Sequence, residues 1–149
     1  MEKLERIIFV GRSGSCREPM AMGILMDLTL KLEIEILARG LVVSFPEPMN
    51  GKAEAVLISN GITLENFTSK QLKNEEITEN TLVFTMERTQ KEKVLSHYQN
   101  ANMENVHVLT DFVGDELEIL NPYGGSLQSY GLCYETLRKS IKKLVKILK

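Results

Sequence analysis

The segment from Gly11 to Arg17 combines residue types suited to binding an anion. Its two glycines and two serines let the backbone turn sharply with converging amides, and it ends in a guanidinium. The apolar run Ile7–Val10 before it predicts a buried parallel strand, and Pro19 after it favours an early helical position. A strand, loop and helix in this order direct backbone amides and the positive end of a helix dipole at one point. The candidate phosphate-binding residues are Arg12, Ser13, Gly14, Ser15, Cys16 and Arg17.

This segment resembles the phosphate loop of the low-molecular-weight protein tyrosine phosphatases, a group that includes the protein arginine phosphatases. The family signature is Cys-x5-Arg-Ser/Thr-Pro-Met-Ala-Glu, with the cysteine as nucleophile, directly after the first strand. The residues that fall on this pattern are Val10, Cys16, Arg17, Pro19, Met20 and Ala21. The nucleophile position holds Gly11, and the Ser/Thr position holds Glu18. The loop is therefore recognisable, but its thiolate is missing.

A second stretch, Asn121-Pro122-Tyr123-Gly124-Gly125-Ser126, is similar to the family's Asp-Pro-Tyr/Phe-Gly-Gly-Ser segment. The resemblance implies that Asn121 stands where the family carries its general acid, and that Tyr123 lines the substrate cleft. Weaker similarities at 48–53, 67–72 and 83–86 extend the resemblance over nearly the full chain. Asn121 also has a purely structural interpretation, because asparagine favours the turn before a proline.

These replacements remove the groups on which the family's reaction depends. Gly11 has no side chain to form a covalent phosphoenzyme, and Asn121 cannot deliver a proton, which costs a factor of roughly 10²–10⁴. A Glu18 carboxylate about 4 Å from a bound phosphate would repel it by roughly 4 kcal/mol at an effective dielectric constant near 20. Alternatively, Glu18 pairs with Arg17 or Arg12, in which case Arg17 is a charge partner and not a phosphate clamp. We therefore predict a pseudophosphatase that binds an anion, a phosphorylated residue or a partner protein.

The alternative is an active protein phosphatase, acting on phosphotyrosine or phosphoarginine, with a non-standard nucleophile such as Ser13 or Cys16. Cys16 has the wrong spacing for the signature, because the residue six positions later is Met22 and not arginine. Ser13 has no neighbouring base in the sequence. Neither His97 nor His107 has further ligands at metal-binding spacing, so we predict no metal site and no cofactor.

Alternating strands and helices must position these residues. They predict an α/β fold with a four-stranded parallel sheet, and the resemblance implies a three-layer αβα sandwich, phosphotyrosine phosphatase I-like and doubly wound in the flavodoxin-like manner. The loop would then lie at the carboxyl end of the first strand, near the topological switch point. The predicted strands are 7–10, 34–38, 82–86 and 106–109. The predicted helices run from the loop to about Lys31, from Asn50 to Asn60, around Gln71 and Leu72, from Lys91 to Tyr98, and from Leu127 to Lys149.

Length and composition restrict the class of protein. The chain has 149 residues, which predicts a single domain, 1–149, and its formal net charge of −2 argues against a nucleic-acid partner. Cys16 and Cys133 lie far apart in sequence, and no signal peptide or membrane span is evident, so we expect a cytoplasmic protein. Lysines on one face of the last helix suit a solvated surface, with weak membrane attraction as the lesser alternative. We expect a monomer or a weak homodimer.

Overall fold

Four parallel strands form a single sheet in the order β2-β1-β3-β4. The computed structural model describes residues 3–29 and 33–148. The strands are β1 (Arg6–Gly11), β2 (Glu35–Gly40), β3 (Thr81–Thr85) and β4 (Val106–Val108). The helices are α1 (Arg17–Leu28), α2 (Gly51–Ser59), α3 (Arg88–His97), α4 (Leu109–Val113) and α5 (Leu127–Leu148). The predicted α/β class and four-stranded parallel sheet are confirmed.

Strand β1 is covered on both faces, which explains its unbroken apolar sequence. Ile7 and Phe9 belong to the cluster that packs against α1, α2 and α5. Ile8 and Val10 point to the other face, where they pack with Val94 of α3. None of these four strand residues is more than 1% exposed. Helices therefore lie on both sides of the sheet, and the three-layer arrangement is confirmed.

The loop after β1 occupies the position where ligands bind in doubly wound sheets. Strand β1 lies between β2 and β3, and Gly11 at its carboxyl end is in register with Gly40 at the end of β2. Strand order reverses on either side of β1, which makes this end the topological switch point. The fold thus places the segment from Gly11 to Arg17 as the sequence predicted.

Helix boundaries are confirmed where a local signal marks them. Asn50 caps α2, since its Oδ1 accepts hydrogen bonds from the amides of Lys52 and Ala53 at 3.0 and 3.1 Å. Helix α5 buries the predicted periodic face, including Tyr134, Leu137 and Ile141. No helix among the described residues is long and apolar enough to cross a membrane.

Several of the predicted elements need correction. Helix α3 begins three residues before the predicted Lys91 and ends one residue before Tyr98, and helix α4 was not predicted. Strand β2 covers 35–40 and not 34–38, and β3 covers 81–85 and not 82–86.

The helix predicted around Gln71 and Leu72 is wrong: Gln71 makes a parallel bridge to Gly40, and only a short 3-10 turn, Asn74–Glu76, follows. The Gln71 side chain donates a hydrogen bond from Nε2 to the Leu41 carbonyl at 2.6 Å. Strand β4 ends at Val108, one residue earlier than predicted, because α4 begins at Leu109. Helix α1 ends at Leu28, and the predicted ends at Lys31 and Lys149 lie outside the described residues.

Candidate functional site

Three carbonyls of the loop are held by amides from neighbouring segments. Each bond is short, and the donors come from two separate segments, one after β2 and one before α2. These bonds fix the loop's curvature before any ligand arrives. Gly11, Arg12 and Ser15 accept from the amides of Leu41, Val42 and Asn50, at 2.9, 2.9 and 2.8 Å respectively.

Gly14 allows the loop to approach the end of β2. Its φ is +73°, a left-handed conformation that favours glycine. A Cβ at this position would lie 2.8 Å from the amide nitrogen of Gly40. The loop therefore packs backbone to backbone on β2, as its small residues predicted.

Several amides of the loop are available to a ligand. Two amides already have an acceptor: that of Ser15 lies 3.4 Å from the Ser13 Oγ, and that of Cys16 lies 3.3 Å from a Glu18 oxygen. Within residues 3–29 and 33–148, no protein acceptor is bonded to the amides of Arg12, Ser13 or Gly14. Unpaired amides beside a helix N-terminus attract negative charge.

The Glu18 carboxyl lies where the family's nucleophilic side chain would begin. Glu18 is only 2% exposed, and its Oε2 accepts from the Cys16 amide. A Cβ placed on Gly11 would lie 1.5 Å from Glu18 Oε1 and 2.4 Å from its Cδ, far inside any allowed contact. The Glu18 carboxyl therefore occupies the volume that a side chain at position 11 would need, which we call the shared volume of Gly11 and Glu18.

Arg17 does not pair with Glu18. Its Nη2 donates to Glu87 Oε2 at 2.5 Å, and its Nη1 donates to the Ile119 carbonyl at 2.6 Å. The guanidinium is 3% exposed. The predicted ion pair of Glu18 with Arg17 or Arg12 is therefore wrong: among the described residues, no cation lies within 4.0 Å of the Glu18 carboxylate. Adjacent residues on a helix point in different directions, which separates these two side chains.

Burial controls the protonation of the groups at the base of the loop. It raises the pKa of Glu18 above the ordinary value of 4.5, against the opposing effects of backbone hydrogen bonds and of Arg17. Burial, followed by the charge of Glu18, raises the pKa of Cys16 to about 11. Cys16 is therefore a protonated thiol near neutral pH, which argues against its role as a nucleophile.

Ser13 lacks the partner that an activated serine requires. It is exposed, and its Oγ lies 3.1 Å from the Ser15 Oγ. In the part of the chain that the structure describes, no histidine or carboxylate is hydrogen-bonded to it. A serine without a hydrogen-bonded base is a weak nucleophile.

Asn121 holds a turn. Its Oδ1 accepts from the Tyr123 amide at 3.0 Å, which confirms the structural interpretation given for this asparagine. Tyr123 is 77% exposed. This segment reaches the loop through Ile119, whose carbonyl binds Arg17. The Arg17 guanidinium thus contacts the segment that directly precedes the second motif.

Sequence reasoning missed Glu87 and Ile119. Glu87 lies two residues after the carboxyl end of β3, the strand next to β1, so the rule that ligand groups follow strand ends could have identified it. Ile119 acts through its backbone carbonyl, which no side-chain pattern reveals. No group of three or more His, Cys, Asp or Glu residues able to hold a metal ion occurs among the described residues.

Comparison with known proteins agrees with this geometry. Residues 6–149 match the family described as low molecular weight phosphotyrosine protein phosphatase. The low molecular weight protein-tyrosine-phosphatase PtpB of Staphylococcus haemolyticus is 27% identical over 93% of this chain and 96% of its own. A protein-arginine-phosphatase of Geobacillus stearothermophilus is 29% identical over 96% of this chain and 95% of its own.

A solved structure extends the agreement to the fold. The low molecular weight protein tyrosine phosphatase from T. tengcongensis superposes with a TM-score of 0.89 at 29% identity, covering 95% of this chain and 98% of that one. The α/β fold with its four-stranded parallel sheet therefore matches the fold of this structure. This chain belongs to the low molecular weight phosphotyrosine protein phosphatase family.

Proposed function

We propose that this protein is a catalytically silent member of its family, a pseudophosphatase that acts by binding an oxyanion, a phosphorylated residue or a partner protein. The observation that supports this most strongly is the shared volume of Gly11 and Glu18. A cysteine at position 11 would collide with the Glu18 carboxyl, so the chain lacks the nucleophile and would admit one only if that carboxyl moved.

The other reacting groups support the same proposal. A thiolate mechanism needs a cysteine of lowered pKa, whereas the pKa of Cys16 is raised to about 11. Asn121 has no acidic proton for the leaving group, and its Oδ1 is occupied by the Tyr123 amide. The loop retains its shape and its backbone amides, which are the features that binding requires.

The alternative of an active phosphatase using Ser13 or Cys16 has no observation in its favour. We further propose that this protein is located in the cytoplasm, because its two buried cysteines, Cys16 and Cys133, are free thiols. The relatives include enzymes named for phosphotyrosine and for phosphoarginine, and we extend neither substrate to this chain.

Hydrolysis of an aryl phosphate tests the proposal. The natural protein is compared with a triple variant, Gly11→Cys, Glu18→Ser and Asn121→Asp, that restores the family's three groups. We expect no turnover by the natural protein and measurable turnover by the triple variant. Turnover by the natural protein that disappears on Ser13→Ala or Cys16→Ser would contradict the proposal and establish the alternative nucleophile.

A further inference from the structure

The loop has an anionic group built into its base. In the family that the sequence resembles, the nucleophilic cysteine stands at position 11, next to this place. Here the place is taken by the Glu18 carboxyl, 2% exposed, whose Oε2 accepts the Cys16 amide at 3.3 Å. Unlike a methyl or hydroxyl group at this place, a carboxyl can exist in two charge states.

We propose that the loop binds a tetrahedral oxyanion together with one proton, which is carried by Glu18. The inference rests on the proposed function, because it assigns a ligand class and a regulation to the same loop. The Glu18 carboxylate excludes the oxyanion by repulsion. The Glu18 carboxylic acid removes this repulsion and can donate a hydrogen bond to an oxygen of the ligand.

The surrounding charges make the protonation of Glu18 decisive. The titratable groups around it are Arg17, Glu87 at the end of β3, Cys16, and Cys133 on α5. Burial raises the pKa of the two thiols to about 11 and about 12, so both are neutral near pH 7. Arg17 is already paired with Glu87 at 2.5 Å. The charge on Glu18 is therefore left uncompensated by a direct ion pair among the described residues.

The Glu18 carboxyl lies beside Gly11, and the unpaired amides of the loop follow at successive positions along the chain. Glu18 Oε1 lies only 1.5 Å from the position of a Cβ on Gly11, close to the end of β1. The unpaired amides of Arg12, Ser13 and Gly14 belong to the part of the loop farther along the chain. We assign the obstacle to the charge of Glu18, so a neutral side chain of the same shape should remove it.

The sign of the pH dependence follows from the buried position. Because burial raises the pKa of Glu18 above 4.5, its acid form persists to higher pH than in an exposed glutamate. Oxyanion affinity should be highest below the pKa of Glu18 in the free protein. Above it, the affinity should fall about tenfold per pH unit, because binding then requires the uptake of one proton.

Sulfate titration over pH 5–8 tests this inference by calorimetry. Sulfate is tetrahedral and keeps its charge over this range, whereas phosphate changes its own. The natural protein is compared with Glu18→Gln, which keeps the shape and removes the charge, and with Glu92→Gln, an exposed glutamate on α3 as a matched control. We expect Glu18→Gln to bind sulfate with little pH dependence, and the control to behave as the natural protein.

Two results would overturn the inference. One is sulfate affinity in the natural protein that does not change with pH; the other is a folded Glu18→Gln variant that fails to bind sulfate. If that variant does not fold, titration of the natural protein in two buffers of different ionisation enthalpy still decides, since uptake of about one proton per sulfate is required. Neither measurement involves turnover. A failure of the proton-coupled binding is therefore distinguishable from a failure of the pseudophosphatase proposal.

A further arm separates two sources of the oxyanion. Inorganic phosphate and phenylphosphonate are compared at the pH of tightest sulfate binding. Tighter phosphate binding supports a free anion as the ligand, and tighter phenylphosphonate binding supports a phosphorylated aromatic side chain. If neither compound binds, the inference is contradicted.

Discussion

Gly11→Ala should destabilise the protein through a single contact. The new Cβ would lie 1.5 Å from Glu18 Oε1, 2.4 Å from Cδ and 2.9 Å from Cγ, so the carboxyl has to move. Overpacking of a buried site costs about 1–3 kcal/mol. If the displaced carboxyl also loses the Cys16 amide, a hydrogen bond to a charged group worth about 1.5–3 kcal/mol is lost as well. With both contributions, we expect a total loss of about 2.5–6 kcal/mol.

Urea denaturation of a double-mutant cycle measures this coupling. The four proteins are the natural chain, Gly11→Ala, Glu18→Ser and the double variant. Because Glu18→Ser removes the colliding atoms, Gly11→Ala should cost much less in its presence, with a coupling energy at the upper end of the usual range of about 0.5–3 kcal/mol. Additivity within about 0.5 kcal/mol would refute the shared-volume reasoning.

Gly131→Ala provides the matched control for the glycine replacement. Gly131 lies within α5, and a Cβ built on it meets no atom within 4 Å. Alanine favours a helix interior over glycine by about 0.5–1 kcal/mol, so this variant should be slightly more stable than the natural protein. A loss of stability here comparable to that of Gly11→Ala would show that the main result does not report on Glu18.

Three further predictions concern the groups around the loop. Glu87→Gln should lower the free energy of unfolding by about 1.5–3 kcal/mol in urea, because it weakens a charged hydrogen bond to a buried guanidinium, that of Arg17; a loss below about 0.5 kcal/mol contradicts this. Cys16 should react slowly with an aromatic disulfide reagent at pH 8, where a pKa of about 11 leaves about one thousandth of it as thiolate, and fast labelling of one thiol in the folded protein would be contrary evidence. Because the pKa of Glu18 is raised, its contribution to the stability of the fold is fully present below about pH 4.5 and should be lost as the pH rises through the folded-state pKa. A plot of the free energy of unfolding against pH should therefore show a downward slope over this range, and Glu18→Gln should remove the part that Glu18 contributes. An unchanged slope in the variant contradicts the assignment.

The sequence predicted the fold well where local pattern and packing agree. The Ile7–Val10 run is apolar because both faces of β1 are covered, and the glycine-rich loop must follow a strand that ends at the switch point. The helix expected at Gln71 did not form because pairing with Gly40 satisfied its backbone instead. The residues next to Gln71 do not reveal a bridge to a residue so far away in the sequence.

The candidate site was predicted in its residues but not in its pairings. Gly11, Arg17 and Glu18 are close in sequence, so their presence at one loop was evident. Arg17 binds Glu87, which is 70 residues away, and this choice depends on the position of β3 beside β1. The placement of the Glu18 carboxyl under Gly11 depends on backbone geometry at the start of α1, which residue types alone do not specify.

Aryl phosphate hydrolysis by two variants in the Asn121→Asp background tests the central claim most directly. One carries Gly11→Cys alone, and the other carries Gly11→Cys with Glu18→Ser. If the Glu18 carboxyl occupies the nucleophile's place, only the second variant should turn over. Equal turnover by both variants, with Glu18 still present in the first, would contradict the account.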